Sequence, residues 1–281
     1  MTAALNDRIA GFYDASTPLW LDTWGEHMHH GHYGPDGAER KSDHRAQLDM
    51  ISEVLAFAAP AAPVARVFDA GCGVGGSARL LALRYGAEVT GVTLSPVQAA
   101  RGNELSARAG LSDSVELLAG DMLRHGAAGA YDLVWSLESA EHIADKRALL
   151  AHFYALLRPG GTLALVTWCH RATPPELDAR ERYVLGRICE LYHLPAWVSI
   201  GDYEVMAAEA GFGGVRSADW SEAVAPFWSA VIRSAVSLRS VRGLLAAGAQ
   251  TMRGAYAMRY MQEGFRRGLV RFGVLRMTKP A

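Results

Sequence analysis

Cysteine is scarce in this chain: Cys72, Cys169 and Cys189 are the only three in 281 residues, and no two form a Cys-x-x-Cys pair. That odd count and spacing exclude a disulfide framework and a zinc ribbon, and they suit a reducing compartment. Lysine is equally rare, standing only at Lys41, Lys146 and Lys279, so the basic charge is nearly all arginine. Net charge is nearly absent too, at −1, which removes any global footprint for nucleic acid. No apolar run approaches the ~18 residues of a membrane span. The opening MTAALNDRIAGFYD carries acid and lacks a long hydrophobic core, so it reads as neither a signal nor a transit peptide, and a cytoplasmic location is expected. There is no internal repeat and no low-complexity linker. What remains is a chain half hydrophobic, enough for one large core with a smaller cap.

From Ala65 to Trp168 strand and helix patterns alternate, as a parallel sheet with crossover helices requires. Strands are expected at Arg66–Ala70, Glu88–Thr93, Val115–Ala119, Tyr131–Ser136 and Thr162–Trp168. Ser95 before Pro96 reads as an N-cap with proline at the first helical position. Asp145 caps KRALLAHFYALL, and Arg158-Pro159-Gly160-Gly161 reads as the turn that stops it. Residues 1–62 are helical in pattern and rich in aromatics and histidine, and they are assigned to an N-terminal lid. Residues 63–170 and 202–281 form the core, and 171–201 form a helical cap insertion. In the last part, Asp202–Ala210 reads as a crossover helix, Gly213–Trp220 as a strand, 226–267 as two arginine-studded helices and Leu269–Met277 as a final strand. Five parallel strands in this order make a doubly wound sheet whose ligands lie beyond the strands' carboxyl ends.

The stretch Arg66–Gly76, RVFDAGCGVGG, runs a hydrophobic strand into Asp69 and then into glycines at 71, 73, 75 and 76. Such a loop turns sharply, lets backbone approach a ligand and aims the amides of the next helix at it. It is not the dinucleotide fingerprint, because Ala78 and Arg79 stand where a helix-packing glycine belongs, and no GK[ST] closes it as a phosphate loop. The wording DAGCGVGG resembles the first motif of class I S-adenosylmethionine-dependent methyltransferases. The resemblance implies a cofactor site at the strand ends, built from Asp69, Gly71, Cys72, Gly73 and Gly75. Thr93, Leu94 and Gln98 then stand where most relatives put a ribose-binding acid. Asp121 and Met122 follow the third strand, where an acid commonly holds the adenine.

The fourth strand ends WSLESAEHI, clustering Ser136, Glu138, Glu141 and His142 where the strand order reverses. Two glutamates in so short a turn suggest a polar site, although helix capping or plain solvation would also explain them. Glu141 and His142 are taken as catalytic candidates, Ser136 and Glu138 as cofactor contacts. His170 leaves the fifth strand at the same rim and is a third proton acceptor by position. The run Trp20–Gly34, WLDTWGEHMHHGHYG, holds four histidines. No fixed ligand pair sits on a helix face there and no cysteine joins them, so no metal is expected. His30 and Gly31 are instead assigned to the cofactor and His29 to the acceptor. Trp168, Trp197, Trp220, Phe227 and Trp228 are candidates for an apolar acceptor pocket, with ordinary core packing as the alternative.

Taken whole, the chain resembles the γ-tocopherol methyltransferase group, which includes some plant alkaloid N-methyltransferases. The likeness is carried by IAGFYDASTPLWLDTWGEHMHHGHYGPD, YDLVWSLESAEHIADK, VTWCHR, SADWSEAVAPFW and GLVRFGVLRMTKP. ESAEHIADK departs from the usual ESGEHMPDK, and residues 172–190 differ considerably. The resemblance implies a Rossmann-like class I methyltransferase fold, a seven-stranded mostly parallel α/β sheet that ends in an antiparallel hairpin and carries an inserted helical cap. It implies S-adenosylmethionine as cofactor and a small lipophilic acceptor, with ring C-methylation of a prenylated phenol or quinol as the leading reaction. N-, O- or prenyl-chain methylation is the alternative, and a non-catalytic cofactor-binding protein is the third reading. Arg239, Arg242, Arg266 and Arg267 could rest on a membrane surface, or simply be solvated. The oligomeric state is left open.

Overall fold

A computed structural model describes residues 10–11, 13–14, 16–18, 21–22, 25–61, 63–228 and 248–281. Helix α1 (Asp43–Ala58) precedes β1 (Arg66–Ala70), α2 (Gly76–Tyr85), β2 (Glu88–Thr93), α3 (Pro96–Arg108), β3 (Val115–Ala119) and β4 (Tyr131–Leu137). Then come α4 (Lys146–Leu156), β5 (Leu157–His170), α5 (Ala179–Tyr192), α6 (Ile200–Glu209), β6 (Gly213–Asp219), the single turn α7 (Ser221–Val224), α8 (Gly248–Arg266) and β7 (Val270–Thr278). Seven strands form one sheet in the order β3-β2-β1-β4-β5-β7-β6. The first five are parallel, and β7 runs antiparallel to both β5 and β6. The fold class and the closing hairpin are those expected.

Both faces of the sheet are buried, because successive strand residues point to opposite sides and both sets are apolar. Val67, Leu133, Ala164 and Val274 pack with Met50 and Ile51 of α1 and Leu81 of α2. Their neighbours Phe68, Val134, Leu165 and Leu275 pack on the other face, with Leu149 and Phe153 of α4 and Tyr203 of α6. A third cluster joins α5, α8 and the start of β7 through Val184, Ile188, Met261 and Leu269. Trp197 and Trp228 lie in it.

Local chemistry sets the element ends. Ser95 accepts from the Gln98 amide at 3.0 Å and Asp145 from the Ala148 amide at 2.9 Å, so both helices start where their capping residues stand. Helix α6 starts two residues before its expected position because Ser199 and Asp202 form a reciprocal capping box. The Arg158–Gly161 segment does not end α4 as a separate turn. It lies inside β5 as an irregularity where the pairing with β4 slips between Tyr131 and Leu133, and α4 stops at Leu156. The helical pattern read over 1–62 holds for α1, but residues 25–42 form an irregular strap. The backbone there is tied outward instead: the His32 amide donates to Ala46 and the Tyr33 amide to Ala223. Of the two helices expected in 226–267, α8 is seen. Residues 229–247, which include Arg239 and Arg242, and Trp20 in the N-terminal run lie outside the described residues.

Candidate active site

A cleft opens at the carboxyl ends of β1, β2 and β4. It is lined by the glycine loop, by Thr93, Leu94 and Gln98, by Asp121 and Met122, and by Leu137–Ser139 with His142. The strap closes it with Glu26, His27, Met28 and His29, and Tyr13 adds a ring from the N-terminal segment.

The glycine loop is held by backbone and by one serine. The amides of Gly71 and Cys72 both donate to the Val92 carbonyl, at 2.9 and 3.0 Å. Ser139 donates to the Ala70 carbonyl at 2.6 Å and pairs with Ser136 at 2.9 Å. Gly71 has φ +83°, and a Cβ there would lie 2.2 Å from the Cβ of Ser139, so only glycine fits this junction. At Gly73 a Cβ would instead meet open space, so that edge of the loop is free for a ligand. Ser136 is buried behind the loop and does not line the cleft. It positions Ser139 rather than touching what binds there.

Asp69 is buried at the end of β1, and its Oδ2 has no partner. Burial pushes its carboxyl up to about 7, with Arg79 acting in the opposite direction. A buried acid with a free oxygen beside a glycine loop is a seat for a cation. At the far wall Thr93 donates to Oε1 of Gln98 at 2.7 Å. Asp121 accepts from the Leu123 amide at 3.0 Å and so caps the turn that carries Met122 into the cleft. These features fit S-adenosylmethionine: Asp69 would hold its ammonium end, and Thr93, Gln98, Asp121 and Met122, which line the same cleft, would hold the nucleoside.

The ESAEH turn is divided between two sides. Glu138 has φ +52°, a strained conformation for a residue with a side chain, which costs about 1–3 kcal/mol. Its carboxylate accepts from the His30 amide at 2.7 Å, from Nδ1 of His30 at 2.6 Å and from Nε1 of Trp168 at 3.2 Å. Burial alone would raise its pKa, but the charge and hydrogen bonds of His30 carry it below the ordinary value. Glu141 does not line the cleft. It is 2% exposed and accepts from Thr167 at 3.1 Å. Burial, then repulsion from Glu138, lifts its carboxyl to about 8. His142 does line the cleft, with Nε2 3.1 Å from the Tyr13 hydroxyl. Burial, then Lys146, lowers its pKa to about 4. Lys146, itself lowered to about 8 by burial, donates to the carbonyls of Ala140 and Ile143 and locks this turn.

The remaining candidates separate into three places. His29 lines the cleft, its Nδ1 held by the His30 carbonyl at 2.9 Å. Gly31 lies against α1, where a Cβ would stand 2.5 Å from that of Ala46, and does not reach the cleft. His170 is also outside it, with Nδ1 2.6 Å from the Arg171 carbonyl at the end of β5. Trp168, Trp197, Phe227 and Trp228 do come together around His30. Trp220 does not join them: it meets His32 and Phe57 edge to face on the α1 side, with ring centroids 5.1 and 5.9 Å away. Arg267 is 3.6 Å from Asp178, whereas Arg266 lines a groove along α8. Sequence reasoning passed over Tyr13, His27, Met28 and Ser139. The histidine-rich run did point to the strap, but nothing local distinguishes Tyr13 or Ser139.

A family model described as a methyltransferase domain matches residues 42–217. The chain is 47% identical, over 98% of its length and 79% of the relative's, to a "Probable tocopherol O-methyltransferase, chloroplastic" of Oryza sativa subsp. japonica. It is 42% identical to the chloroplastic tocopherol O-methyltransferase of Arabidopsis thaliana, covering 99% of this chain and 84% of that one. In fold it is similar to a geranyl diphosphate methyltransferase solved with GPP and sinefungin, with a TM-score of 0.80, 22% identity, and coverage of 99% and 100% of the two chains. The glycine loop, the orphaned Asp69 and these relatives agree, and the chain belongs to the methyltransferase-domain family as an S-adenosylmethionine-dependent enzyme.

Proposed function

We propose that the enzyme methylates a ring carbon of a prenylated phenol or quinol. The observation that carries this reading is a cluster of aromatic rings packed around His30, whose partner Glu138 lines the cofactor cleft. Around His30 stand Phe227, Trp228 and Phe272, with ring centroids 4.3, 5.2 and 5.3 Å away, and Trp168 at 5.8 Å. Trp197 backs Trp168 at 5.5 Å. Such a cluster suits an apolar aromatic acceptor and keeps water from the reacting atoms. Tocopherol, named for both relatives, is an acceptor of that kind.

S-Adenosylmethionine, when bound, supplies an electrophilic methyl group on a sulfonium, so the protein's work is alignment and proton removal. Asp69 and the glycine loop hold the cofactor, Glu138 fixes the strap over it, and the rings orient the acceptor. Ionising a phenol makes both its oxygen and its ortho carbon nucleophilic. The relatives' names specify the oxygen, and our reading places the methyl on carbon. Labelled S-adenosylmethionine incubated with γ-tocopherol, a prenyl benzoquinol, an indole alkaloid amine and geranyl diphosphate decides the matter. We expect label on the ring carbon of γ-tocopherol, located by the NMR shift of the new methyl. A methyl ether would move the reading to O-methylation. Label only on the amine or the prenyl chain would replace the acceptor class.

We also propose that the enzyme works in the cytoplasm and meets lipophilic acceptor at a membrane surface through the arginines near α8. None of its described helices is long and apolar enough to cross a membrane. Vesicle co-sedimentation checks this, and an enzyme left in the supernatant would argue against the contact.

A further inference from the structure

We propose that His30 is the general base for the acceptor's phenol, held through Nδ1 by Glu138 with its ring set in the aromatic cluster. The inference rests on the phenolic reading of the acceptor above.

The geometry separates the roles of the two ring nitrogens. A carboxylate only accepts, so the 2.6 Å contact keeps a proton on Nδ1 of His30, and in the neutral ring Nε2 is the nitrogen that takes a proton. That Nε2 is buried and has no partner. An orphaned buried acceptor costs about 1–3 kcal/mol, and aromatic rings, not polar groups, surround this one. A phenol answers both features: its ring suits the aromatic cluster, and its hydroxyl donates to Nε2.

His27, His29 and His142 line the cleft and His30 does not, yet His30 has the only carboxylate partner of any histidine among the described residues. His29 and His170 hold neutral carbonyls, and His142 meets a tyrosine hydroxyl. A carboxylate stabilises the imidazolium that forms when the proton arrives, which a carbonyl does far less well. The strap places this base by backbone as well as side chain, since Glu138 also binds the His30 amide. A groove lined by Glu222, Gln262, Arg266 and Arg271 reaches Trp228 and Phe265, two members of the ring cluster, and offers a lipophilic acceptor a route inward.

The protons balance as follows. The phenol O–H bond breaks, its electron pair stays on oxygen, and the proton moves to Nε2 of His30. The delocalised pair forms the new ring C–CH3 bond, while the pair of the broken S–CH3 bond remains on sulfur. The resulting dienone loses its ring proton to water, and His30 returns its own proton to the phenolate oxygen. One proton is released per turnover.

The test pairs a spectrum with turnover. Without cofactor, 4-nitrophenol is added to wild type and to His30→Gln at a pH about one unit below the probe's own pKa. We expect phenolate absorbance from probe bound to wild type and neutral probe on the variant. In turnover, His30→Gln is expected to lose about 100-fold or more on γ-tocopherol, but under about tenfold on a ring-fluorinated phenol already ionised at the assay pH. Equal losses on both acceptors, or no loss, would overturn the assignment. Should the variant not fold, wild type alone decides: probe bound neutral, or not bound, overturns it. Failure of the acceptor reading looks different, since wild type would then methylate no phenol at all.

Discussion

Gly71 and Ser139 meet at the floor of the cleft, where the serine that holds the Ala70 carbonyl stands 2.2 Å from the place a Gly71 Cβ would occupy. The contact joins the end of β1 to the turn after β4, across the point where the strand order reverses. The glycine loop and the ESAEH turn are thus packed against each other, and a change in either is felt by the other.

Gly71→Ala must therefore displace Ser139 and also strain a backbone at φ +83°. Cofactor affinity should fall at least about tenfold, and stability by about 1–3 kcal/mol. Calorimetric titration with S-adenosylhomocysteine checks the first and chemical denaturation the second. Unchanged affinity would mean that the junction does not shape the loop.

Asp69 should make cofactor binding pH-dependent. Its carboxyl, raised to about 7 by burial, is largely protonated in the free protein below that pH. A bound ammonium favours the ionised form, so binding releases a proton and affinity rises with pH up to about 7. Folding stability moves the other way. The folded protein holds this proton while the unfolded chain, near the ordinary carboxyl value, has lost it, so stability drops as pH rises from about 4 to about 7. Asp69→Asn should flatten both slopes and weaken binding. A wild-type affinity that does not vary between pH 5.5 and 8 would rule out the cation seat.

Glu141 offers a contrast within the same turn. With its carboxyl raised to about 8, it is neutral at pH 7 and is sealed against Thr167. Glu141→Gln should keep cofactor affinity and most turnover there, and should gain stability over wild type progressively from about pH 4.5 to about 8, where the unfolded wild-type carboxyl is ionised and the folded one still holds its proton. Glu141→Ala should cost about 1–3 kcal/mol. A hundredfold fall in turnover for Glu141→Gln, with binding intact, would put Glu141 in the chemistry instead.

The strap hangs on Gln47. Its side-chain amide is buried and donates to the carbonyls of His27 and His29, the latter at 3.3 Å. Gln47→Ala leaves both carbonyls short of a donor, so about 1–3 kcal/mol of stability should be lost. Cofactor affinity should fall with it, because His27 and His29 line the cleft. Thermal melts with and without S-adenosylhomocysteine would expose the error if the variant behaved like wild type in both.

Much of this molecule was legible before any coordinates. β1, β2 and β3 begin and end at the expected residues because turn and capping chemistry is written within a few positions of each end. The glycine loop and its acid are contiguous, so their joint role shows in the linear order. The strap was misread as helical because its backbone is tied to α1, to the turn after β4 and to α7, with only isolated turns along itself, and periodicity carries no sign of that. Trp220 and Trp228 looked alike as apolar candidates, yet they sit on different sides of the strap.

The sequence by itself determined the sheet and the shape of the cofactor loop, since these follow from local pattern, spacing and capping, and its resemblance to known methyltransferases supplied the class of reaction. The tertiary structure alone decided which groups of the ESAEH turn face the cleft. Burial and Thr167 take Glu141 out of it, while the left-handed backbone of Glu138 turns that carboxylate toward a histidine 108 positions earlier in the chain. Contacts at such separation are set by how the strap packs across the sheet, and no short-range signal encodes them.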